Sequence, residues 1–305
     1  MAIAPLPARR RKTRRTFASS GAPLYDRRKA SWGWVVSQSA RWVLLVAGAV
    51  IVVLPFLWML GTSLRPLPDI LADPMSFIPA HPYPQNYVEA WQAAPFGAFL
   101  GNTVIVTVTS LLGDVASSAV VAYGFARIAF AGRGFWFVVL LSTLMLPPAV
   151  TLIPQFVMFR VLGWLNTFLP LIVPSFFGQA FYVFLLRQFF LTIPRDLDEA
   201  ATIDGADHPA IFWSVILPLV RPALAAVAVF SFIRHWNDFL GPLIYLHDED
   251  KMTLAVGLQL FRGQYETQLQ YLMAGSVLMV LPIIVIFFVA QKYFIQGIAL
   301  SGLKG

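Results

Sequence analysis

Long stretches without Asp, Glu, Lys or Arg are the feature that most limits how this chain can fold. Four of them hold at least 22 residues each, and they lie between Arg41 and Arg65, Arg133 and Arg160, Arg160 and Arg187, and Glu266 and Lys292. A helix needs about 20 apolar residues to cross the hydrocarbon core of a bilayer. These stretches therefore predict four membrane-spanning helices.

Two further apolar stretches carry charged residues within them. Residues 99–126 include Asp114, and residues 220–240 include Arg234, His235 and Asp238. With 58% hydrophobic and 12% charged residues, the chain of 305 residues is too apolar for a soluble domain. We therefore predict an all-α integral membrane protein with six transmembrane helices.

Basic residues orient these spans. With six spans, 17 Lys and Arg residues fall on the side of the N-terminus and four on the other side. Because basic residues favour the cytoplasmic side, both termini are predicted to be cytoplasmic, in a multi-pass protein of the cytoplasmic (inner) membrane. The net charge of +7 is thus an orientation signal, and we do not interpret it as nucleic-acid binding.

The predicted spans divide the chain into three parts. Residues 1–40 form a basic cytoplasmic tail that is predicted to be disordered and to contact anionic lipid. Residues 41–296 form the transmembrane domain, and residues 297–305 form a cytoplasmic tail. The chain has no Cys, and its four His residues are not spaced as metal ligands, so we predict no metal site.

A polar segment at residues 194–218 interrupts the apolar pattern on the cytoplasmic side. Pro194 stands where a short helix would begin, Asp196 and Asp198 favour its positive end, and Asp204-Gly205 would end it in a turn. A solvated connection between two helices is the simpler interpretation. The spacing of its residues favours a more specific one.

The spacing is that of the EAA loop of ATP-binding-cassette (ABC) importer permeases, E-A-A-x3-G-x9-I-x-L-P. The matching residues are Glu199, Ala200, Ala201, Gly205, Leu217 and Pro218, with Val215 in place of Ile. From about residue 40 to 305 the chain resembles permeases of the carbohydrate type, in particular the smaller permease subunit of the maltose importer family. The resemblance includes Ala122-Tyr123, Phe125-Ala126-Arg127, Trp236-Asn237-Asp238-Phe239-Leu240 and the terminal Gly302-Leu303-Lys304-Gly305.

The resemblance implies the type I ABC importer permease fold and a set of partners. These are a second homologous permease subunit, an ATPase dimer and an extracytoplasmic sugar-binding protein. Glu199 would pair with a basic residue in a cleft of the ATPase. Ala200 and Ala201 would let the helix lie close to the cleft wall, and Asp204-Gly205 would form the turn.

ATP chemistry is expected to belong to the partner. The chain has no G-x-x-x-x-G-K-[ST] sequence, so ATP and Mg²⁺ would bind to the ATPase, and this subunit would be neither an enzyme nor a cofactor-binding protein.

Polar residues in the fifth span are candidates for the translocation path, because polar groups inside a membrane are costly. The candidates are Arg234, Trp236, Asn237 and Asp238. Arg234 and Asp238 are four residues apart, so they could instead pair along one helix face and fix packing. Asn237 is the better candidate for a sugar contact, because its amide both donates and accepts hydrogen bonds.

The C-terminal residues have two interpretations. The resemblance implies that Gly302, Lys304 and Gly305 form part of an extended tail that reaches between the ATPase subunits. A short terminal segment of this kind is otherwise expected to be a frayed end.

Other functions remain open from sequence alone. The cargo could be a di- or oligosaccharide, a sugar alcohol or glycerol phosphate. A secondary transporter could use Asp114 and Asp238 for a coupling ion, although the EAA loop would then be unexplained. No catalytic pattern in the spans supports a membrane-embedded hydrolase or transferase.

Overall fold

A computed structural model describes residues 32–262 and 268–302, with side chains at 37–262 and 268–291. All regular elements in these ranges are helical. The chain divides into two units, residues 1–54 and 55–305. Of the first unit, the structure describes the beginning of one long helix. The second unit contains every packed core and candidate site discussed below.

Eight helices form the N-terminal part of the described chain. They are α1 (Trp32–Ser63), α2 (Leu67–Ala72), α3 (Gln85–Ala93), α4 (Phe96–Arg127), α5 (Arg133–Ser142), α6 (Pro148–Val161), α7 (Leu169–Ile172) and α8 (Ala180–Thr192). Short 3₁₀ turns at Thr143–Met145 and Val173–Phe177 follow α5 and α7.

Seven helices form the C-terminal part. They are α9 (Asp196–Ile203), α10 (His208–Ala210), α11 (Leu217–Leu219), α12 (Arg221–Trp236), α13 (Leu240–Tyr245), α14 (Leu254–Gly257) and α15 (Leu269–Gly302). A π-helical segment, Ile211–Ile216, joins α10 to α11, and 3₁₀ turns lie at Glu249–Lys251 and Leu258–Arg262.

The helices agree with the predicted spans. Four stretches in the described chain are long and apolar enough to cross a membrane: Ser37–Ser63, Phe96–Arg127, Leu169–Thr192 and Leu269–Gln291. Two bent pairs pass the same test when each is counted as one span, which gives up to six. The pairs are Arg133–Met145 with Pro148–Val161, bent by 98°, and His208–Leu219 with Arg221–Trp236, bent by 80°.

Proline accounts for the first of these bends. Pro147 and Pro148 follow each other at the break, and neither has a backbone N–H to continue the helix. The two prolines thus account for the bend in the third span. In the fifth span the helix ends at Trp236, so Asn237 and Asp238 lie beyond it, and the prediction that they are part of a span ending near residue 240 is wrong.

Helix α4 lies at the centre of the packing. Three clusters of buried side chains form the core of the second unit, and α4 contributes to all of them. Ala122 and Tyr123 belong to the cluster shared with α8 and α12, Phe96 and Phe99 to the cluster shared with α12 and α15, and Val106 to the third. Helix α12 thus packs against both ends of α4, together with α8 at one end and α15 at the other.

A Pro-rich segment connects α1 to α4, and two buried polar side chains hold it in place. Arg65 donates to the carbonyl oxygens of Asp69 and Asp73. Asn86 Nδ2 donates to Ser63 O and Arg65 O, both at 2.9 Å. These bonds satisfy carbonyl groups where the chain is not part of a long helix.

Both predicted tails differ from the structure where it describes them. Helix α1 begins at Trp32, so residues 32–40 are helical and the predicted disorder is wrong there; residues 1–31 lie outside the described chain. Helix α15 continues to Gly302, so residues 297–302 are helical and do not form an extended chain. Lys304 and Gly305 lie outside the described residues.

Candidate functional site

The EAA segment folds as a short helix with a defined end. Asp196, Asp198 and Glu199 lie in the first turn of α9, where carboxylates stabilise the positive end of the helix dipole. Gly205 has φ of +89°, in the left-handed region that favours glycine. The N–H of Gly205 donates to Thr202 O at 3.0 Å and that of Ala206 to Ala201 O at 2.9 Å, which completes a Schellman motif.

The two faces of α9 differ in exposure. Glu199, Ala200, Asp204 and Gly205 are exposed. Ala201 is half-buried and packs against the core cluster of α4 and α8, and its expected approach to the wall of an ATPase cleft stays a prediction. A side chain added at Gly205 would meet no atom of the described chain within 4 Å. The turn is therefore open to a partner.

Exposed apolar side chains lie on α9 and on the π-helical segment that follows α10. Ile203 is 86% exposed and Trp213 is 65% exposed, and Leu197 is also exposed. Apolar surface of this kind, with polar residues around it, is typical of a protein interaction site.

The end of the EAA motif continues into the membrane region. The Asp207 side chain accepts from Ala210 N at 2.9 Å and caps α10. Leu217 is half-buried and packs against the same core cluster as Ala201, and half-buried Pro218 follows it in α11. The motif thus combines an exposed turn with residues that anchor it.

A small cleft of about 140 Å³ lies beside α9. Its walls include Tyr123 and Arg127 from α4, Asp198 and Glu199 from α9, and His208. The Tyr123 hydroxyl lies 3.3 Å from His208 O. Tyr123 and Arg127 are part of the sequence resemblance to carbohydrate permeases, which implied no role for them.

A larger cavity of about 560 Å³ lies among α4, α6, α12 and α13. Nine polar side chains help to line it: Asp114, Thr143, Thr151, Gln155, Ser175, Gln179, Arg234, His235 and Asp238. In a chain this apolar, such a concentration of polar groups favours a hydrated cavity.

Asp114 anchors one wall of this cavity. Its Oδ2 accepts from Ser231 Oγ at 2.8 Å and lies 2.9 Å from His235 Nε2. The Ser175 hydroxyl lies 3.4 Å from the same His235 nitrogen. The Asp114 side chain is 2% exposed, so this network joins α4 to α12 inside the core.

Two of the four predicted path residues line the cavity. Arg234 and Asp238 do, but the ion pairs of the described chain do not join them. Asp238 follows the end of α12, and its Oδ1 accepts from Gly241 N at 3.1 Å at the start of α13. Arg234 contacts Tyr182 on α8. The helix end is the physical reason that the predicted pairing along one face is wrong.

Trp236 and Asn237 do not line this cavity. Trp236 is 4% exposed, stacks on Phe232 and donates its indole N–H to Met279 O at 2.9 Å. It therefore joins α12 to α15 as a packing residue. Asn237 is exposed and donates to Ile233 O at 2.8 Å, so its amide completes the end of α12.

Residues 118–300 match the family model described as the binding-protein-dependent transport system inner membrane component. This covers more than half of the chain, and it includes the α9 segment and most of the cavity walls. The chain belongs to this family of transport permeases. The prediction of an ABC importer permease is confirmed.

Two relatives match over most of their length. The diacetylchitobiose uptake system permease protein NgcG of Streptomyces coelicolor is 37% identical over 252 residues, which are 82% of this chain and 83% of that protein. The arabinooligosaccharides transport system permease protein AraQ of Halalkalibacterium halodurans is 33% identical over 260 residues, 84% of this chain and 93% of that protein.

A solved structure supports the fold. A chain of a bacterial ABC transporter involved in the import of the acidic polysaccharide alginate superposes with a TM-score of 0.77. The alignment covers 90% of this chain and all of the other, at 24% identity. The predicted all-α permease fold is thus confirmed.

Proposed function

We propose that this chain is one permease subunit of an ABC importer for a di- or oligosaccharide. The observation that carries the proposal is α9, whose exposed turn at Glu199–Gly205 is fixed to the membrane helices by Ala201 and Leu217. A partner ATPase dimer would bind this turn and supply the energy of ATP hydrolysis. The chain would lie in the cytoplasmic membrane with both termini inside.

In the proposed coupling, α9 moves as a rigid body. Glu199 is exposed and free to meet a basic residue of the ATPase, and Ile203, four residues further along α9, offers apolar surface beside it. When nucleotide closes the ATPase dimer, α9 moves with it and biases the permease between inward-open and outward-open states. The terminal Gly302, Lys304 and Gly305 are proposed as a further ATPase contact.

The cavity beside Asp114 is the proposed part of the cargo path. The cavity is lined by acidic side chains, Asp114 and Asp238, and by one basic side chain, Arg234. Its amides and hydroxyls can both donate and accept hydrogen bonds. These properties suit a neutral polyhydroxylated cargo. The named cargoes of the two relatives, arabinooligosaccharides and diacetylchitobiose, support the same class.

The remaining partners follow from the family. A second, homologous permease would complete the path, and an extracytoplasmic sugar-binding protein would deliver the cargo. Lipid would cover the apolar helix faces.

The proposal is tested by changing Gly205 to Asp and, as a matched control, to Asn. Both side chains tolerate a positive φ about equally and have nearly the same shape, so they differ mainly in charge. Since the described chain leaves the position open, a difference between them reports on a partner surface. We expect Gly205→Asp to lose most ATPase co-purification and Gly205→Asn to retain more.

Glu199→Ala should weaken the same contact less, because an exposed ion pair contributes about 1 kcal/mol or less. Co-purification of the ATPase and ATP hydrolysis stimulated by the loaded binding protein are the two measurements. Wild-type values of both for Gly205→Asp would remove α9 from the coupling mechanism.

A further inference from the structure

We propose that Arg127 is the positioning residue that fixes the coupling helix α9 to the transmembrane helices α4 and α8. The inference rests on the proposed function, since it assumes that α9 receives the movement of the ATPase. It assigns a role to a residue outside the EAA motif, about 70 positions before it in the chain.

Arg127 is the last residue of α4, and its guanidinium joins three elements. Nη2 donates to Phe190 O at 2.8 Å and to Ile193 O at 2.9 Å, at the end of α8. Nη1 lies 3.2 Å from Asp198 Oδ2, in the first turn of α9. A planar guanidinium presents its donors in a fixed fork, so one side chain fixes the direction of both contacts.

The ion pair between Arg127 and Asp198 is shielded from water. The Arg127 side chain is 3% exposed and that of Asp198 is 21% exposed. An ion pair shielded from water is screened less than one on the surface, and the loss of one partner leaves the other charge uncompensated. By contrast, Arg195 lines the same cleft and is exposed, so it lacks this shielding.

Arg127 makes more contacts to α8 than to α9. Two hydrogen bonds hold Arg127 to α8, and one ion-pair contact holds it to α9. Arg127 Nε and Asp198 Oδ1 are buried, and they have no hydrogen-bond partner within the described residues. The link to α9 therefore depends on a single contact, and it is the side at which a change should uncouple α9 without unfolding the membrane helices.

Helix α4 also carries Asp114, which anchors the cavity wall. Asp114 and Arg127 are 13 residues apart, which is about 20 Å along a helix at 1.5 Å per residue. One continuous helix thus bears a cavity contact and the α9 contact. A movement of α9 would reach the cavity through the Arg127 end of α4.

The experiment uses the complete importer in lipid nanodiscs, with Arg127→Ala, Asp198→Asn and the control Arg195→Ala. Its own binding protein is loaded with the sugar that most raises its unfolding temperature in a screen of di- and oligosaccharides. ATP hydrolysis is measured with and without this protein. A spin label on Asp196→Cys, an exposed position in the first turn of α9 outside the proposed ATPase contact, reports the mobility of α9, and the native chain has no Cys to interfere.

We expect Arg127→Ala and Asp198→Asn to lower the stimulation of ATP hydrolysis about tenfold, within the range by which single contacts change coupling. The spin label should become more mobile in both variants, and Arg195→Ala should match the wild type in both measurements. Arg127→Lys should restore part of the stimulation, because it keeps a charge but not the fork.

If Arg127→Ala does not assemble, Asp198→Asn decides, because it leaves the bonds from Arg127 to α8 intact. Normal stimulation and an unchanged spin-label spectrum in Asp198→Asn would overturn the inference. A wild-type importer without stimulated ATP hydrolysis would instead contradict the proposed function, so the two failures are distinguishable.

Discussion

Asp114 is the residue on which the cavity wall depends most directly. It accepts from Ser231 Oγ and lies against His235 Nε2, and all three groups lie in or near the core. Loss of the carboxylate would leave two polar groups without their partner in a low-dielectric environment. The residue is therefore expected to matter for stability as well as for transport.

We predict that Asp114→Ala destabilises the subunit by roughly 3 kcal/mol, the range for removal of one member of a buried pair. The unfolding midpoint in detergent should fall by about 5–10 °C. Asp114→Asn keeps an acceptor oxygen and should fall less, and Ser231→Ala, which removes one donor, should change least. Equal midpoints for Asp114→Ala and Asp114→Asn would contradict this account of the network.

At the level of individual residues, the sequence identifies the EAA residues, because their spacing is specific and their contacts are local. It does not predict how Arg234 and Asp238 are placed, since both were assumed to lie in one helix. Asn237 and Asp238 follow the last helical residue, where an Asn or Asp side chain often caps a helix end or a turn. Arg127 was missed because its partner Asp198 is distant in sequence, and periodicity carries no information about such a contact.

Among the helices, the packing of α14 on α4 depends on the absence of a side chain. A Cβ at Gly257 would lie 2.3 Å from a ring carbon of Phe99, whereas one at Gly101 in α4 would meet nothing within 4 Å. Gly257 is thus a packing residue. The two glycines form a matched pair for a test.

Gly257→Ala should destabilise the isolated subunit by about 1–3 kcal/mol, because Phe99 must move in a closely packed core. Gly101→Ala should leave stability unchanged or raise it by up to about 1 kcal/mol, because alanine favours helix. Thermal unfolding of the two variants in detergent gives the comparison. A Gly257→Ala variant as stable as Gly101→Ala would show that Phe99 adapts without cost.

The bends of the helices were only partly predictable. Three prolines in the third span, including Pro147 and Pro148, predict its bend because each lacks a backbone donor. The 80° bend before α12 was not predicted, although Pro222 lies in the first turn of that helix. A proline in the first turn is common at the start of a new helix, so it does not by itself predict the angle to the preceding one.

For the whole molecule, the distribution of basic residues determines the topology. We predict that Met75→Cys, which replaces an 80% exposed side chain, reacts with an impermeant thiol reagent added outside intact cells. Ile203→Cys, at an 86% exposed position, should react only after the membrane is opened, in cells that lack the ATPase proposed to cover it. Both positions are exposed in the subunit, so a difference in labelling shows that they lie on different sides of the membrane.

Labelling of Ile203→Cys from outside would invert the topology and place α9 away from any cytoplasmic ATPase.

The central claim is that ATP hydrolysed by a partner drives sugar through this permease, and uptake into proteoliposomes tests it most directly. The vesicles hold the complete importer with ATP inside, and the loaded binding protein is added outside. The account predicts sugar uptake that requires both ATP and the binding protein and is nearly abolished by Gly205→Asp. Uptake without ATP, driven by an ion gradient and unaffected by Gly205→Asp, would contradict it.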